Sequence, residues 1–388
     1  MVKRTPLLVM FLFVAAALAA LTPRSSLGLE RNFAGSAQLD YRYLATPSQE
    51  VPDEPVGTNT FVTEIALKMA VDVSDNFSAN VKVCYGCHGF ELPMGYIDYR
   101  IADELNFRVG RFSPSFGAFN LRHDPANHHL TDKPLPYDMG RGIRSEQWNQ
   151  GVLPSPFPDN GIEVNGTHWF GSSMELDYAI YAVTGFKGDN GAYDLDFDQS
   201  RMPMYWDNNN RPTVGGRVAT TFRLSQISDI TFGASGQHGK FDPEAKYSYS
   251  IVGADVSFRS GRTDLRFEWL ARRQQFDTSN PQALRYQVPA KGGDFFVKHG
   301  AYVELKQPLT GWVDLIGRVD GMYREGNVVV ESPLDKRSSV LRYTVGTMFT
   351  IEQGLRAKVS AELWDFSDAD AAGKHTNVTL HAAIVGTY

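Results

Sequence analysis

Long apolar runs are almost missing from this chain. The single one, Leu7 to Leu21, follows the two positive charges carried within Met1 to Arg4 and is itself succeeded by small residues at Ser26-Leu27-Gly28. That order is the layout of a secretory signal peptide, assigned to residues 1–28, and the run is too short for a comfortable membrane span. No other segment approaches a transmembrane helix. Cysteine is scarce, with only Cys84 and Cys87, and the net charge is a modest −6 over 388 residues. No serine-histidine-acid grouping and no phosphate-binding glycine motif can be recognised. Transport or electron transfer is therefore expected ahead of substrate-specific catalysis, and no nucleic-acid partner is expected.

Apolar character is present, but hidden in alternation. From Phe61 to Val73 the apolar Phe61, Ile65, Leu67, Met69, Val71 and Val73 share one face, and Glu64, Lys68 and Asp72 share the other. Residues 37–44 repeat the pattern, with Leu39, Tyr41 and Tyr43 against Gln38, Asp40 and Arg42. So do residues 355–363, with Val359 and Leu363 against Lys358 and Glu362. One face suits lipid and the other a wet lumen. Sixteen such segments are expected, at 33–45, 60–73, 77–88, 92–101, 105–113, 160–169, 174–186, 212–222, 229–239, 247–258, 262–276, 295–306, 312–324, 339–351, 355–366 and 376–388. Short turns such as Ser74-Asp75-Asn76 and Gly171-Ser172-Ser173 alternate with longer connections. The implied fold is all-β: a sixteen-stranded antiparallel transmembrane β-barrel over residues 29–388, with long extracellular loops, in a bacterial outer membrane. Terminal Tyr388 resembles the aromatic signal read by the outer-membrane assembly machinery.

The connection 113–160 is far longer than a turn requires, and loops of that length are normally functional or disordered. It falls where a third extracellular loop would fold back to narrow the pore. Arg122, Asp124, Lys133, Asp138, Arg141 and Arg144 are its candidate constriction charges. Arg217, Arg266, Glu268, Asp314 and Arg318 are expected to line a mixed-charge lumen.

The segment Tyr96 to Gly117, and within it Arg108-Val109-Gly110-Arg111-Phe112 followed by Pro114 and Phe116-Gly117, resembles the strand-turn-strand signature of phosphate-selective porins of the O and P type. It covers about a tenth of the chain. The lysine ladder of the phosphate-specific members is not evident, so the resemblance implies a porin barrel without implying phosphate selectivity.

Cys84-Tyr85-Gly86-Cys87-His88 reads as the C-x-x-C-H attachment site of a c-type haem, with Cys84 and Cys87 as thioether residues and His88 as iron ligand. A small disulfide or a metal site are the alternatives. Fused cytochrome-porin proteins are similar in plan, although their cytochrome segment precedes the barrel. Strand phase places the motif at the extracellular end, with Cys84 toward the lumen and Cys87 in the opposite phase unless the strand bends. His123, His128, His129 and Met94 are candidate sixth ligands. Lipid and small solutes are the expected partners, and a homotrimer is a candidate assembly. With haem c present, a periplasmic cytochrome and an extracellular electron donor or acceptor join them.

Overall fold

The alternating segments form sixteen strands: β1 (Glu30–Leu44), β2 (Asn59–Ser74), β3 (Phe77–Gly86), β4 (Gly89–Ala102), β5 (Leu105–Phe112), β6 (Asp159–Phe170), β7 (Met174–Val183), β8 (Thr213–Arg223), β9 (Ser228–Lys240), β10 (Ser248–Ser260), β11 (Thr263–Gln275), β12 (Phe295–Pro308), β13 (Val313–Gly326), β14 (Ser339–Glu352), β15 (Leu355–Ser367) and β16 (His375–Thr387). Each pairs antiparallel with its sequence neighbours, and β1 pairs with β16 to close the barrel. No end differs from its sequence-based expectation by more than three residues. The structure is a computed structural model that describes residues 30–45, 59–86, 89–138, 151–188, 195, 197–200, 202, 206–277, 294–326, 339–367 and 375–388. The leader 1–28, Cys87, His88, Arg141 and Arg144 lie outside the described residues.

Closure follows from backbone chemistry. An unpaired N–H or C=O in hydrocarbon costs several kcal/mol, so a sheet crosses lipid only when it has no edge. The seam between β1 and β16 runs in unbroken register from Leu44↔Thr379 to Ser36↔Thr387. Gly35 and Tyr388 then exchange two backbone hydrogen bonds, of 3.1 and 3.2 Å. A Cβ at position 35 would lie 2.2 Å from the Tyr388 ring, so glycine here is what lets the terminal aromatic lie across the seam.

The pleat sorts the side chains as the pattern requires. Leu39, Leu67, Val109, Ile180, Val303 and Val345 are exposed on the outside, while Gln38, Asp40, Lys82, Lys358 and Glu362 are buried within. Leaving even those six apolar side chains in water would cost on the order of 10 kcal/mol, comparable with the whole stability of a domain. The outer surface is therefore a lipid-facing one, and the barrel is an outer-membrane barrel. Aromatic residues at the short-turn end, including Phe170, Phe222 and Trp312, face outward. They form the girdle expected where lipid headgroups meet water.

The seven links β2–β3, β4–β5, β6–β7, β8–β9, β10–β11, β12–β13 and β14–β15 are each four residues or fewer. The longer links leave the opposite end, with one exception: β3 and β4 meet there in register at Gly86↔Gly89, leaving only positions 87 and 88 between them. The third loop, between β5 and β6, turns into the barrel.

Candidate functional site

A loop without regular structure can lie at membrane depth only if the wall satisfies its backbone. The inward side chains do so strand by strand. Glu163 of β6 accepts from the Ser115 amide at 2.9 Å, and the hydroxyl of Ser235 on β9 accepts from Gly117 at 2.9 Å. Glu268 of β11 accepts from the amides of Ala118 and Phe119 at 2.8 and 3.2 Å, and from the hydroxyls of Tyr137 and Tyr302 at 2.5 and 3.2 Å. Gly117 adopts φ +64°, and a Cβ there would meet the Tyr137 hydroxyl and Glu268. Only glycine can make this bend.

Farther along, the loop crosses to the opposite wall. His129 donates to Glu304 of β12 at 2.8 Å, and the Leu135 amide donates to Asp320 of β13 at 2.9 Å. Lys358 of β15 donates to the carbonyls of Pro125, His128 and Leu130 at 2.9, 2.6 and 3.3 Å. Arg342 of β14, fully buried, binds Asp132 at 2.5 Å, Asp320 at 2.6 Å and the Lys133 carbonyl at 2.6 Å, with Glu362 at 3.4 Å. On the other flank Lys82 of β3 pairs with Asp124. Phe116, Phe119, Tyr137 and Phe157 of the loop pack with Tyr249, Leu270 and Tyr302 of the wall and with Phe186 and Phe197 after β7.

Space is thereby left on the β4–β11 side. A cavity of about 1400 Å³ extends from the turn residues Asp75 and Asp103 up to Ala118, Leu121 and Arg122 of the loop. Its wall carries ion pairs. Arg108 binds Asp98 at 2.9 Å and Glu163 at 3.2 Å, Arg217 binds Asp255, and Arg266 binds Asp264 at 2.6 Å.

Of the loop charges expected at the constriction, Arg122 lines this cavity. Asp124 is turned to Lys82, the Lys133 ammonium donates to the Ser155 carbonyl at 2.7 Å, and Asp138 is buried. Among the wall charges, Arg217 and Arg266 line the cavity as expected. Glu268 and Arg318 do not. Their inward phase was read correctly, but the third loop lies over both, with Arg318 donating to the Asp132 carbonyl at 2.8 Å. Asp314 is held by Arg262 at 2.5 Å. Arg342 and Lys358 are loop anchors for which an inward-phase charge in the middle of a strand is the visible signal; Asp132, inside the loop, carries no such mark.

The histidines anchor the same loop. His123 donates through Nδ1 to the Asn120 carbonyl at 2.8 Å, and its Nε2 lies 3.3 Å from the Lys82 ammonium. Burial, with Lys82 beside it, pushes its pKa down to about 4, so the ring is neutral at pH 7 and can accept from Lys82. His128 donates through Nε2 to the His123 carbonyl at 2.8 Å, and burial lowers its pKa well below the usual value. Both ring nitrogens of His129 are engaged, by Glu304 at 2.8 Å and Arg266 at 3.2 Å. Iron ligation by His123 or His129 would require these bonds to be exchanged.

Cys84 stands opposite Ala66 and Glu91 near the outer end of β3, in the inward phase of Lys82. The β3–β4 register shifts between Lys82↔Met94 and Cys84↔Glu91, so β4 holds one extra residue there. Such a bulge bends the hairpin just before the motif. Met94 faces Lys82 across the pair, on the inward side.

No family model and no curated protein matches the sequence. Solved structures do match. The outer-membrane channel DcaP of Acinetobacter baumannii superposes with a TM-score of 0.59 at 11% identity, over 94% of this chain and 99% of that one. This chain has a porin fold. The anion-selective porin from Comamonas acidovorans gives 0.57 at 10% identity, over 93% and 100%. OmpF of Salmonella typhi, in complex with daunomycin, gives 0.59 at 8% identity, over 95% and 100%. The porin fold thus spans nearly the whole chain, while identity this low leaves the lining chemistry to be read from the residues themselves.

Proposed function

We propose that the barrel is a diffusion channel for small solutes across the outer membrane. The observation that carries this reading is the lateral placement of the third loop: its middle is fixed to β11–β15 and it leaves a charged space of about 1400 Å³ along β4–β11. A plug with no transport role would have no reason to leave one wall lined by ion pairs that face an open space. Purified mature protein reconstituted in liposomes should admit small sugars and salts, and impermeable liposomes holding folded protein would sink the proposal.

The haem reading stands as a second proposal, favoured by the placement of Cys84 on the inward face at the outer end of β3, beside a bulge that bends the hairpin. Cys84, half-buried with a thiol that is free among the described residues, fits a thioether position on the lumen side. With Cys87 and His88 attached as the motif implies, the group would supply one-electron chemistry at the outer mouth, served by a periplasmic cytochrome and an external donor or acceptor. Intact mass decides: an unmodified mature chain, or one lighter by two hydrogens, would leave the diffusion channel alone.

A further inference from the structure

Ten carboxylates and seven arginines line the cavity. The vestibule as a whole therefore does not attract anions, and any preference for them must arise at one place. Six of the arginines have a carboxylate within 4.0 Å, among them Arg108, Arg217 and Arg266. The seventh, Arg122, is exposed to the lumen at the inner edge of the third loop, and its guanidinium makes no ion pair or hydrogen bond among the described residues.

Its backbone is nevertheless held on both sides. The preceding Phe119 amide is bound by Glu268, and the following His123 is bound to the Asn120 carbonyl and Lys82. The backbone that carries the charge is thus held in position. Arg266, Asp264 and Arg217 are the charges near it. Because Arg217 and Arg266 are each neutralised by their own aspartate, the uncompensated charge at this level is that of Arg122.

We infer that Arg122 is the anion-contact residue of the pore, where a carboxylate or phosphate group of a passing solute takes the bidentate partner that the protein withholds from this guanidinium. The inference rests on the diffusion-channel reading and gives it a preferred substrate class, small anions. A guanidinium presents a planar fork that matches both groups. A single such contact, open to water, binds weakly enough to release, as permeation requires. The flanking arginines shape the site without closing it, since an anion there would have to compete with Asp255 or Asp264.

The test uses mature full-length protein in planar bilayers, with heat-modifiable migration showing that each variant has folded. In a tenfold gradient of potassium chloride, Arg122→Lys should keep the wild-type reversal potential, while Arg122→Ala should shift it toward potassium and Arg122→Glu farther. Coulomb's law at about 6 Å in water gives roughly a threefold change in permeability ratio per unit charge. Inorganic phosphate should reduce the chloride current of the wild type and leave that of Arg122→Ala unaffected. If all variants conduct, and Arg122→Glu matches the wild type in both reversal potential and phosphate sensitivity, the anion contact is wrong while the channel survives. Folded wild-type protein that gives no current overturns the channel and the anion contact together.

Discussion

Replacing Arg342 with methionine should detach the middle of the third loop while leaving the barrel closed. Arg342 is fully buried and serves three carboxylates at once. After its removal Asp320 keeps Arg318 at 3.2 Å, and Glu362 keeps the Trp364 indole at 3.2 Å. Asp132 keeps the Lys133 amide, at 2.9 Å, but loses its guanidinium partner. Breaking one side of a buried ion pair costs about 3–5 kcal/mol. The strand ladders are untouched, so the cheapest relief is for residues 131–135 to leave the wall and hydrate Asp132. A 3 kcal/mol bias changes that local equilibrium roughly a hundredfold. Hydrogen exchange at the Leu135 amide, bound to Asp320 at 2.9 Å, should accelerate by a similar factor, and single-channel conductance should rise and become noisier. Asp132→Asn should be milder, because Arg342 keeps two carboxylates. Folded Arg342→Met with wild-type exchange and conductance would show that the ion-pair hub does not hold the loop.

Acid should loosen the same loop. The folded His123 pKa of about 4 lies below the ordinary 6.5, so the docked loop is most stable above pH 6.5 and loses that stability as pH falls toward 4, a change readable as smaller exchange protection factors across residues 120–130. His128 shifts in the same direction, and protection factors that stay flat from pH 7 to pH 4 would count against this assignment. Substituting both Cys84 and Cys87 with serine should preserve heat-modifiable migration and conductance, since the strand pairs on either side of Cys84 are backbone bonds. If haem is attached in the wild type, the same double variant should lose covalent haem staining and any oxidation or reduction of an external partner.

Much of the architecture was legible because lipid imposes a two-residue period that strands cannot disguise. The segment from Phe61 to Val73 shows it residue by residue, and the short turns marked which end is which. The bulge in β4 was only partly legible: Pro93, with no N–H to give the ladder, marks an irregularity there, but not which strand holds the extra residue. The destination of the third loop was also out of reach. Asp132 and Arg342 are 210 residues apart, and a charge pattern along one segment carries no information about which strand it will meet. The expected constriction therefore mixed a lumen-facing residue, Arg122, with Asp124, paired to Lys82 of the wall, and Lys133, whose ammonium is turned back to the loop's own Ser155 carbonyl. Glu268 and Arg318 were correctly read as inward, yet inward in this barrel means either water or the underside of a loop.

Planar-bilayer recording from heat-modifiable, purified mature protein bears on all of this at once. A water-filled path along β4–β11 should give discrete, long-lived conductance steps whose size grows in Arg342→Met and whose ion preference changes in Arg122→Glu. Folded protein that inserts and yet gives no steps, in the wild type and in Arg342→Met alike, would mean that the cavity is a closed vestibule and the barrel is not a channel.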